Sequence, residues 1–520
     1  MVRAGGFGPA PCAQRSAHPC GVSSFVSWTV ITRGSVRKGD PRERARCGDV
    51  LYISCNPGTR QNARSPGTLS SGARHGQDIA LTWRIRHRSR GAPDPTPAPS
   101  RLAGLRLFAD VTPLREFREY RLLFTGLGVT MLGRQLTVVG APIQVYDVTG
   151  STLAVGLLGL VQFPALLVGS FLGGTLADAV DRRRLLLAAQ FWLAVTTAGL
   201  ALNASAPRPS LVAVYGLTAA NALMSGIDSP TRQAVVPRLV PARRLPSALA
   251  LNVLLSQTAN AVGPAVAGLV IAGTGLAVAF WIDTASFVVA SGVLYLMQPL
   301  PPAADAARPD LRSVKEGISF IGRRSELQGT FLIDIGAMVF GMPRALFPEL
   351  GLTVFGSSGT AVGLLYAAPG VGAMLAALTS GWVTKVRRAG RATIAVVVLW
   401  GVSITGFGLS SSLPLALLLL AVGGGADALS AVFRSTILQL TTPDRLRGRL
   451  SAVQIAVVTG GPRLGDLEAG VVAAATSARV AAWSGGLGAA ASALLVAWRF
   501  PQFRRWTPPA VDEDVVAGRS

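Results

Sequence analysis

Several charged side chains stand inside long apolar runs of this sequence, where they could bind an ion, a proton or a polar ligand. A charge among apolar helices is costly, so each one is a candidate functional group. Arg134 stands about 20 Å into the first apolar run at 1.5 Å per residue, beside Gln135. The other charges of this kind are Asp283, Asp334, Arg344, Asp427, Arg463, Asp466 and Glu468. Each could instead form a buried ion pair that fixes how two helices pack.

Two acids near the end of the chain are predicted to behave differently from each other. Asp466 follows Arg463 by three residues, which puts both side chains on one face of a helix. Glu468 lies about 200° further round that helix than Asp466, at ~100° per residue. Since a neighbouring arginine favours an ionised carboxylate, we expect Asp466 to stay ionised and paired. Glu468 is then freer to bind and release a proton. The alternative is that all three side chains form one packing cluster.

Twelve apolar segments joined by short connections must position these side chains. Each segment holds roughly the 20 apolar residues that cross a ~30 Å hydrocarbon core. The predicted segments are 121–146, 153–177, 185–204, 210–231, 247–272, 276–297, 327–350, 359–383, 392–410, 413–437, 450–476 and 480–500. This pattern predicts an all-α membrane protein. Its predicted parts are a six-helix bundle at 106–297, a linker at 298–325, a second six-helix bundle at 326–505, and a tail at 506–520.

The connections between the segments differ in charge from one side to the other. The connections on one side are rich in Arg and Lys, whereas those on the opposite side carry only Arg208 and Arg479. Basic connections stay on the cytoplasmic side of a membrane. We therefore expect both ends of this multi-pass chain, and the linker at 298–325, to be cytoplasmic.

Residues 1–105 differ in composition from the rest of the chain. All four cysteines and all three histidines fall within the first 90 residues, among many Arg, Pro, Ser and Gly. Four cysteines could form a disulfide or zinc module, but they contain no C-x-x-C pair. The segment is not a signal peptide, because no apolar stretch precedes a small-residue cleavage site. We expect this segment to be a disordered tail, or translation to start nearer to residues 106–112.

Composition and missing motifs exclude several classes of function. A net charge of +23 would suggest nucleic-acid binding in a soluble chain, but half of these residues are apolar. The basic residues are not interleaved with aromatic residues as on a strand-binding surface. The chain beyond the tail has no Cys or His, and no phosphate-binding G-x-x-x-x-G-K-[ST] occurs. We expect no nucleic-acid partner, metal site, cofactor, catalytic residue or enzymatic activity.

A short charged stretch between the second and third segments has a distinctive spacing. It reads Gly174-Thr-Leu-Ala-Asp178-Ala-Val-Asp181-Arg182-Arg183-Arg184. Gly-x-x-x-Asp followed by paired arginines, at the end of a second membrane helix, resembles the signature of the major facilitator superfamily of transporters. The resemblance implies a cytoplasmic latch that opens and closes, formed by Gly174, Asp178, Arg182 and Arg183. Ala179 and Asp181 depart from the pattern, which usually has a base and a glycine there. The alternative is a topology signal with no further role.

The second half of the chain repeats landmarks of the first half. Ala154-Val-Gly-Leu-Leu158 recurs letter for letter as Ala361-Val-Gly-Leu-Leu365, and Gly174 returns as Gly381 at the same offset. Two parallel six-helix repeats, with the substrate site where they meet, are the architecture of major facilitator transporters. The resemblance therefore places four candidates on cavity-lining helices: Arg134, Gln135, Asp334 and Arg344. It places Asp283 on a peripheral helix, where we favour a buried pair that fixes how two helices pack.

The fifth segment contains a glycine-proline pair, Gly263-Pro264, followed by Gly268. Proline removes a backbone donor and bends a helix, and glycine allows close packing beside the bend. This stretch resembles the Gly-Pro motif that proton-coupled exporters of the superfamily carry in this helix, although Ala259 stands where they often have glycine. The alternative is an ordinary packing kink.

Two stretches near the end indicate a branch of the superfamily. Pro443-Asp-Arg-Leu-Arg-Gly-Arg449 and Gly461-Pro-Arg-Leu-Gly-Asp-Leu-Glu468 resemble the bacterial exporters that include the enterobactin exporter. The resemblance implies a monomeric secondary transporter in the lipid bilayer of the bacterial inner membrane. It would export a siderophore or drug-like small molecule in exchange for protons, by alternating access. The alternatives are an importer of a small nutrient and a transport-inactive membrane sensor or scaffold.

Overall fold

Long helices account for most of the chain in the computed structural model, which describes residues 110–300, 319–356 and 358–508. The first six are α1 (Arg118–Thr149), α2 (Thr152–Ala179), α3 (Arg182–Ser205), α4 (Leu211–Leu239), α5 (Leu245–Thr274) and α6 (Leu276–Tyr295). The later ones are α7 (Ser325–Phe340), α8 (Gly359–Leu378), α9 (Ala389–Leu409), α10 (Leu413–Thr441), α11 (Asp444–Ala475) and α12 (Ala478–Arg499). These residues contain no β-strand, so the all-α prediction is confirmed.

Eleven segments among the described residues are long and apolar enough to cross a membrane. The helix α11 is not among them, because arginines and acids interrupt its 32 residues. Large apolar side chains such as Val212 and Trp498 remain 79% and 75% exposed on outer helix faces. A continuous apolar exterior of this kind is typical of a surface that meets lipid. The predicted count of twelve spans and the division into two repeats stay predictions.

The helices of each half pack mainly on one another. In the first half α2 packs on α4, and α6 packs on α1 and α3. In the second half α9 packs on α10 and α12, and α8 packs on α10. Contacts between the halves are made chiefly by α5 with α8 and by α2 with α11. The space between these two contacting pairs forms the site described below.

Polar caps begin many of the helices. In four of them a serine side chain accepts a hydrogen bond from the backbone N–H three residues on: Ser151, Ser210, Ser358 and Ser477. Asp181 caps α3 in the same way, accepting from the N–H of Arg184 at 3.0 Å. Such a cap contributes about 0.5–2 kcal/mol to helix stability. Asp181, which departs from the superfamily pattern, therefore has a structural role.

The chain just before α1 is held against the first half by Asp110. Its carboxylate accepts hydrogen bonds from the backbone N–H of Thr112 at 3.1 Å and from the Ser247 hydroxyl at 2.9 Å. The hydrogen bonds from Thr112 are the main reason why the pKa of Asp110 is lowered to about 2. The unfolded value is about 3.9, so these bonds are fully present above that pH and weaken only as the pH falls towards 2.

The seventh predicted segment, 327–350, is interrupted in the structure. The helix α7 ends at Phe340, a 3-10 helix follows at Arg344–Leu346, and a short helix covers Phe347–Thr353. Pro343 lies in the interruption; proline has no N–H to donate and disfavours helical geometry in the residue before it. The break lets Arg344 point away from the helix axis into the space between the halves.

Candidate functional site

A cavity of about 740 Å³ lies between the two halves. The first half contributes residues of α1, α2, α4 and α5, and the second half contributes residues of α8 to α11 and of the interruption after α7. Its polar lining includes Arg134, Gln135, Gln162, Asn221, Gln257, Asn260, Arg344, Tyr366, Asp427, Arg463 and Asp466. The cavity is large enough for a drug-sized ligand, since such pockets measure about 300–1,000 Å³.

Three arginines meet at this cavity from three separate elements. Arg134 comes from α1, Arg344 from the 3-10 helix and Arg463 from α11. The charges of Arg134 and Arg344 both act on Arg463. Within the described residues, Arg134 and Arg344 form no side-chain hydrogen bond and no ion pair shorter than 4.0 Å. Their guanidinium groups are exposed to the cavity and can donate to a bound ligand.

Arg463 connects the two halves on one side of the cavity, and Asp466 connects α11 to the interruption after α7. Arg463 donates from Nη1 to Oε1 of Gln162 on α2 at 2.7 Å. Asp466 accepts from the backbone N–H of Ala345 at 3.2 Å, and so holds the 3-10 helix that carries Arg344. No ion pair shorter than 4.0 Å joins Arg463 to Asp466, although the charge of Arg463 acts on Asp466.

Gln135 and the Gly-Pro pair fasten α1 to α5. The Gln135 amide donates to the carbonyl of Ala259 at 3.1 Å and to Oδ1 of Asn260 at 3.0 Å. A Cβ atom at Gly263 would lie 2.4 Å from Cγ of Gln135, so only glycine leaves room for this contact. Pro264 cannot donate to the carbonyl of Asn260, and a Cβ atom at Gly370 of α8 would lie 2.5 Å from that oxygen.

Glycines allow backbone-to-backbone packing between the halves. A Cβ atom at Gly268 of α5 would lie 2.6 Å from Cα of Gly363 on α8, and one at Gly156 of α2 would lie 2.5 Å from the carbonyl oxygen of Asp466. Thr152 at the start of α2 donates to the Glu349 carboxylate. All these contacts lie towards the end of the helices that is remote from the 178–184 stretch. At that stretch a Cβ atom at Gly174 would meet no atom within 4 Å.

Below the cavity, each half contains a buried arginine with acidic partners. In the second half Nη1 of Arg434 lies 2.9 Å from Oδ1 of Asp334, and Nη2 lies 3.7 Å from Oδ1 of Asp427. In the first half Nε of Arg232 lies 2.6 Å from Oδ2 of Asp228 in an i,i+4 pair. Arg434 ties α10 to α7, whereas the Arg232–Asp228 pair lies within α4 and is joined to α3 by the Gln190 amide, which donates to Asp228 at 3.1 Å.

The arginines of the 178–184 stretch fasten α3 to its neighbours. Arg182 is 6% exposed and donates to the carbonyls of Ala177 and Ala234, both at 3.0 Å. Arg183 donates to the carbonyl of Leu294 at 3.2 Å, and its Cζ lies 5.2 Å from the centre of the Tyr295 ring. The side chain of Asp178 lies outside the described part of the chain.

Comparison with known families decides what kind of protein carries this cavity. A family model described as "Transmembrane secretion effector" matches residues 109–516. The chain belongs to this family of major facilitator transporters. It is therefore a membrane transporter and not an enzyme, and its substrate is a small molecule.

Relatives of this transporter are curated as exporters, and its fold recurs in solved transporters. The enterobactin exporter EntS of Citrobacter koseri is 28% identical over 396 residues, which cover 76% of this chain and 95% of the relative. EntS of Escherichia coli O1:K1 is 28% identical over 400 residues, covering 76% and 96%. The nucleoside transporter NupG covers 75% of this chain and 100% of its own at a TM-score of 0.60 and 13% identity. An inward-facing bacterial homologue of the lysosomal transporter Spinster is 14% identical at a TM-score of 0.59, and the match covers 75% of this chain and 98% of that one.

The structure brings some of the predicted site residues together and separates others. Arg134, Gln135 and Arg344 line the cavity, as do Arg463 and Asp466, together with Pro264 of the Gly-Pro pair. The structure places Asp334 outside the lining, 3% exposed against Arg434. It also places Glu468 outside the lining, half-buried on α11. Asp283 is fully buried and accepts hydrogen bonds from Thr137 and Ser286.

Several residues of the site escaped the sequence analysis. Uncharged polar residues line the cavity without any spacing that distinguishes them from other polar residues in helices: Gln162, Asn221, Gln257, Asn260 and Tyr366. Gly359 and Gly363 did carry a signal, since small residues four apart commonly mark close helix packing in membranes. No group of three or more potential metal ligands occurs in the described ranges.

Proposed function

We propose that this transporter exports a siderophore or drug-like small molecule through the cavity between its halves. The observation that carries the proposal is the meeting of three arginines there, two of which have no partner in the described chain. A ligand rich in hydrogen-bond acceptors would occupy those donors. The naming of the relatives as enterobactin exporters supports a siderophore and the outward direction.

The proposed mechanism is alternating access driven by protons. The halves touch at the end remote from the 178–184 stretch, where glycines allow backbone contact. Basic residues at that stretch indicate the cytoplasmic side, so this arrangement would load substrate from the cytoplasm. Opening the glycine contacts and closing the opposite end would release substrate outside. A monomer with two cytoplasmic ends in a bacterial inner membrane suffices for this cycle.

Gly174, Asp178, Arg182 and Arg183 are proposed to act as the latch of the cytoplasmic end. Arg182 and Arg183 already tie α3 to carbonyls of α2, α4 and α6. A rigid end of this kind can move as one body when the halves rock. Gly263, Pro264 and Gly268 are proposed to set the bend and the close contact about which α5 moves.

Enterobactin secretion tests the proposal directly. The chain is expressed in Escherichia coli whose own enterobactin exporter has been deleted, and enterobactin is measured in the medium. Wild type should restore secretion. Arg134→Gln should reduce it at least about tenfold, a cost of 1.4 kcal/mol, without lowering the melting temperature, because Arg134 forms no side-chain hydrogen bond and no ion pair shorter than 4.0 Å in the described chain.

Arg208→Gln, an exposed arginine in a connection remote from the cavity, is the matched control and should secrete like wild type. Accumulation of enterobactin inside cells that express the chain would indicate import. A wild-type chain that restores no secretion of enterobactin or of a panel of drug-like compounds would indicate a transport-inactive protein. Either result would overturn the proposal.

A further inference from the structure

Asp427 belongs to a cluster in which two carboxylates share one arginine. Arg434 lies 2.9 Å from Asp334 and 3.7 Å from Asp427. The side chains of Arg434 and Asp334 are 3% and 4% exposed, whereas that of Asp427 is 27% exposed and lines the cavity. With both acids ionised, the cluster carries one surplus negative charge inside the membrane.

The equivalent cluster of the first half has no such surplus. Arg232 pairs with Asp228 alone, and the amide of Gln190 donates to Asp228 at 3.1 Å. One arginine and one acid are electrically neutral, and the uncharged amide adds a hydrogen bond to the acid. A second acid was therefore not needed to hold an arginine in this position of the fold.

The surplus charge is best relieved at Asp427. Burying an ionised carboxylate without a close partner costs free energy, and binding a proton removes the charge and with it that cost. Asp334 has the shorter contact with Arg434 and is almost completely enclosed. Asp427 has the longer contact and is reached from the cavity, whereas Oδ1 of both acids lacks a hydrogen bond from the described residues. A proton from the cavity therefore reaches Asp427 first.

We propose that Asp427 is the proton-binding site of this transporter and that it also accepts a hydrogen bond from the substrate. The proposal rests on the proton-driven export proposed above. One proton adds to a carboxylate oxygen to give a neutral carboxyl group, and no other bond forms or breaks. An ionised carboxylate is a much stronger acceptor than a neutral one. A proton and the hydroxyl or N–H groups of the substrate therefore compete for Asp427. Binding of the proton releases the substrate, and binding of the substrate releases the proton.

The charged groups around Asp427 lie on α10, on α7 and on the 3-10 helix that follows α7. Arg434 lies on the same helix, Asp334 faces it from α7, and the charge of Arg344 reaches it from the 3-10 helix after α7. Of the other helices packed on α10, α8 contributes Tyr366 and α9 carries only Arg391 near its start. Arg344 also lines the cavity, so a ligand bound there lies near Asp427.

Transport in inverted vesicles tests the assignment with iron-free enterobactin as the probe. Wild type should accumulate the probe faster when a pH gradient is imposed. Asp427→Asn should lower the ratio of gradient-driven to gradient-independent transport about tenfold or more. Its gradient-independent exchange should need a higher probe concentration, because a neutral amide is a weaker hydrogen-bond acceptor than a carboxylate. Asp427→Glu keeps a carboxyl group and should restore part of the stimulation. Asp147→Asn, an exposed acid at the end of α1, is the control and should behave as wild type.

Infrared titration of the purified protein detects the same proton without transport. The stretching band of neutral carboxyl groups is followed as the pH is lowered to about 6, a range in which an ordinary carboxyl group stays ionised. The band should be weaker in Asp427→Asn and unchanged in Glu116→Gln, which removes an exposed carboxyl group before α1. If the wild type shows this band but no gradient-driven transport, proton-driven export is overturned while Asp427 is supported as a proton site. Gradient-driven transport that persists in Asp427→Asn, or that is lost in Glu468→Gln instead, would overturn the assignment.

Discussion

At the scale of single residues, buried charge in this transporter is used in two ways. Arg434 and Asp334 are almost fully enclosed and lie 2.9 Å apart, so they hold helices together. Arg134 and Arg344 face the cavity and form no ion pair in the described chain, so they are available to a ligand. Burial and partner, rather than residue type, separate the enclosed structural charges from the charges that are open to a ligand.

Removing one member of the enclosed pair should destabilise the protein more than removing both. Arg434→Met leaves Asp334 enclosed without its arginine, and losing half of a buried pair costs about 3–5 kcal/mol. The double variant Arg434→Met with Asp334→Leu also removes the enclosed acid and should recover most of that loss, because the remaining acid, Asp427, lines the cavity. Thermal unfolding of the detergent-solubilised protein measures both effects.

Glu326→Gln is the control for this comparison, because Glu326 pairs with Arg324, whose side chain is 50% exposed. Exposed pairs contribute about 0–1 kcal/mol, so its melting temperature should stay near that of wild type. A double variant no more stable than Arg434→Met would show that the pair itself, and not the uncompensated charge, stabilises the fold.

At the scale of helices, the contact between α5 and α8 depends on glycines on both sides. Gly268 meets Gly363, and Gly359 is a turn away on the same face. Small residues let membrane helices approach until their backbones touch. The Gly-Pro motif thus contributes to the closed end of the cavity.

A side chain at Gly268 should force the two helices apart. Gly268→Val places methyl groups where the Gly363 backbone now lies, and transport should fall at least about tenfold because the closed arrangement is lost. Gly273→Val in the same helix is the control, since a Cβ atom there would meet no atom within 4 Å. Equal transport by both variants, measured as enterobactin secretion at matched expression, would contradict a role for this contact.

At the scale of the whole molecule, the two halves touch at one end of the cavity. Thr152 of the first half donates to Glu349 of the second, close to the glycine contacts. Gly174 and Gly381, at the opposite end, are positions where an added Cβ atom would meet nothing within 4 Å. An alternating-access transporter has to open the first contact once in each cycle.

Cross-linking across that contact should stop transport. The four native cysteines at positions 12, 20, 47 and 55 are replaced by serine, and Thr152→Cys and Glu349→Cys are joined by a short thiol cross-linker with a cleavable disulfide. Transport should be lost on cross-linking and regained on reduction. The control pair Gly174→Cys and Gly381→Cys should not cross-link in this arrangement, and undiminished transport by the cross-linked protein would argue against rocking of the halves.

The sequence by itself determined the class of fold and the kind of protein. Long apolar runs can satisfy their backbone polar groups in lipid only as helices, so an all-α membrane protein followed from composition and length. The local spacing of Gly174, Asp178 and the arginines sufficed to indicate the superfamily, because that motif lies within a single turn between two helices. The Gly-Pro pair in α5 could also be identified from the sequence, because its two residues are adjacent.

Only the tertiary structure decided which charges form the site. Arg134, Arg344 and Arg463 are hundreds of residues apart at the extremes, and their meeting depends on how α1, the interruption after α7 and α11 pack. Asp334 and Asp427 look alike in the sequence, yet one is enclosed against Arg434 and the other opens to the cavity. A helical pattern specifies which residues share a face, but the partner of that face is set by packing between distant segments.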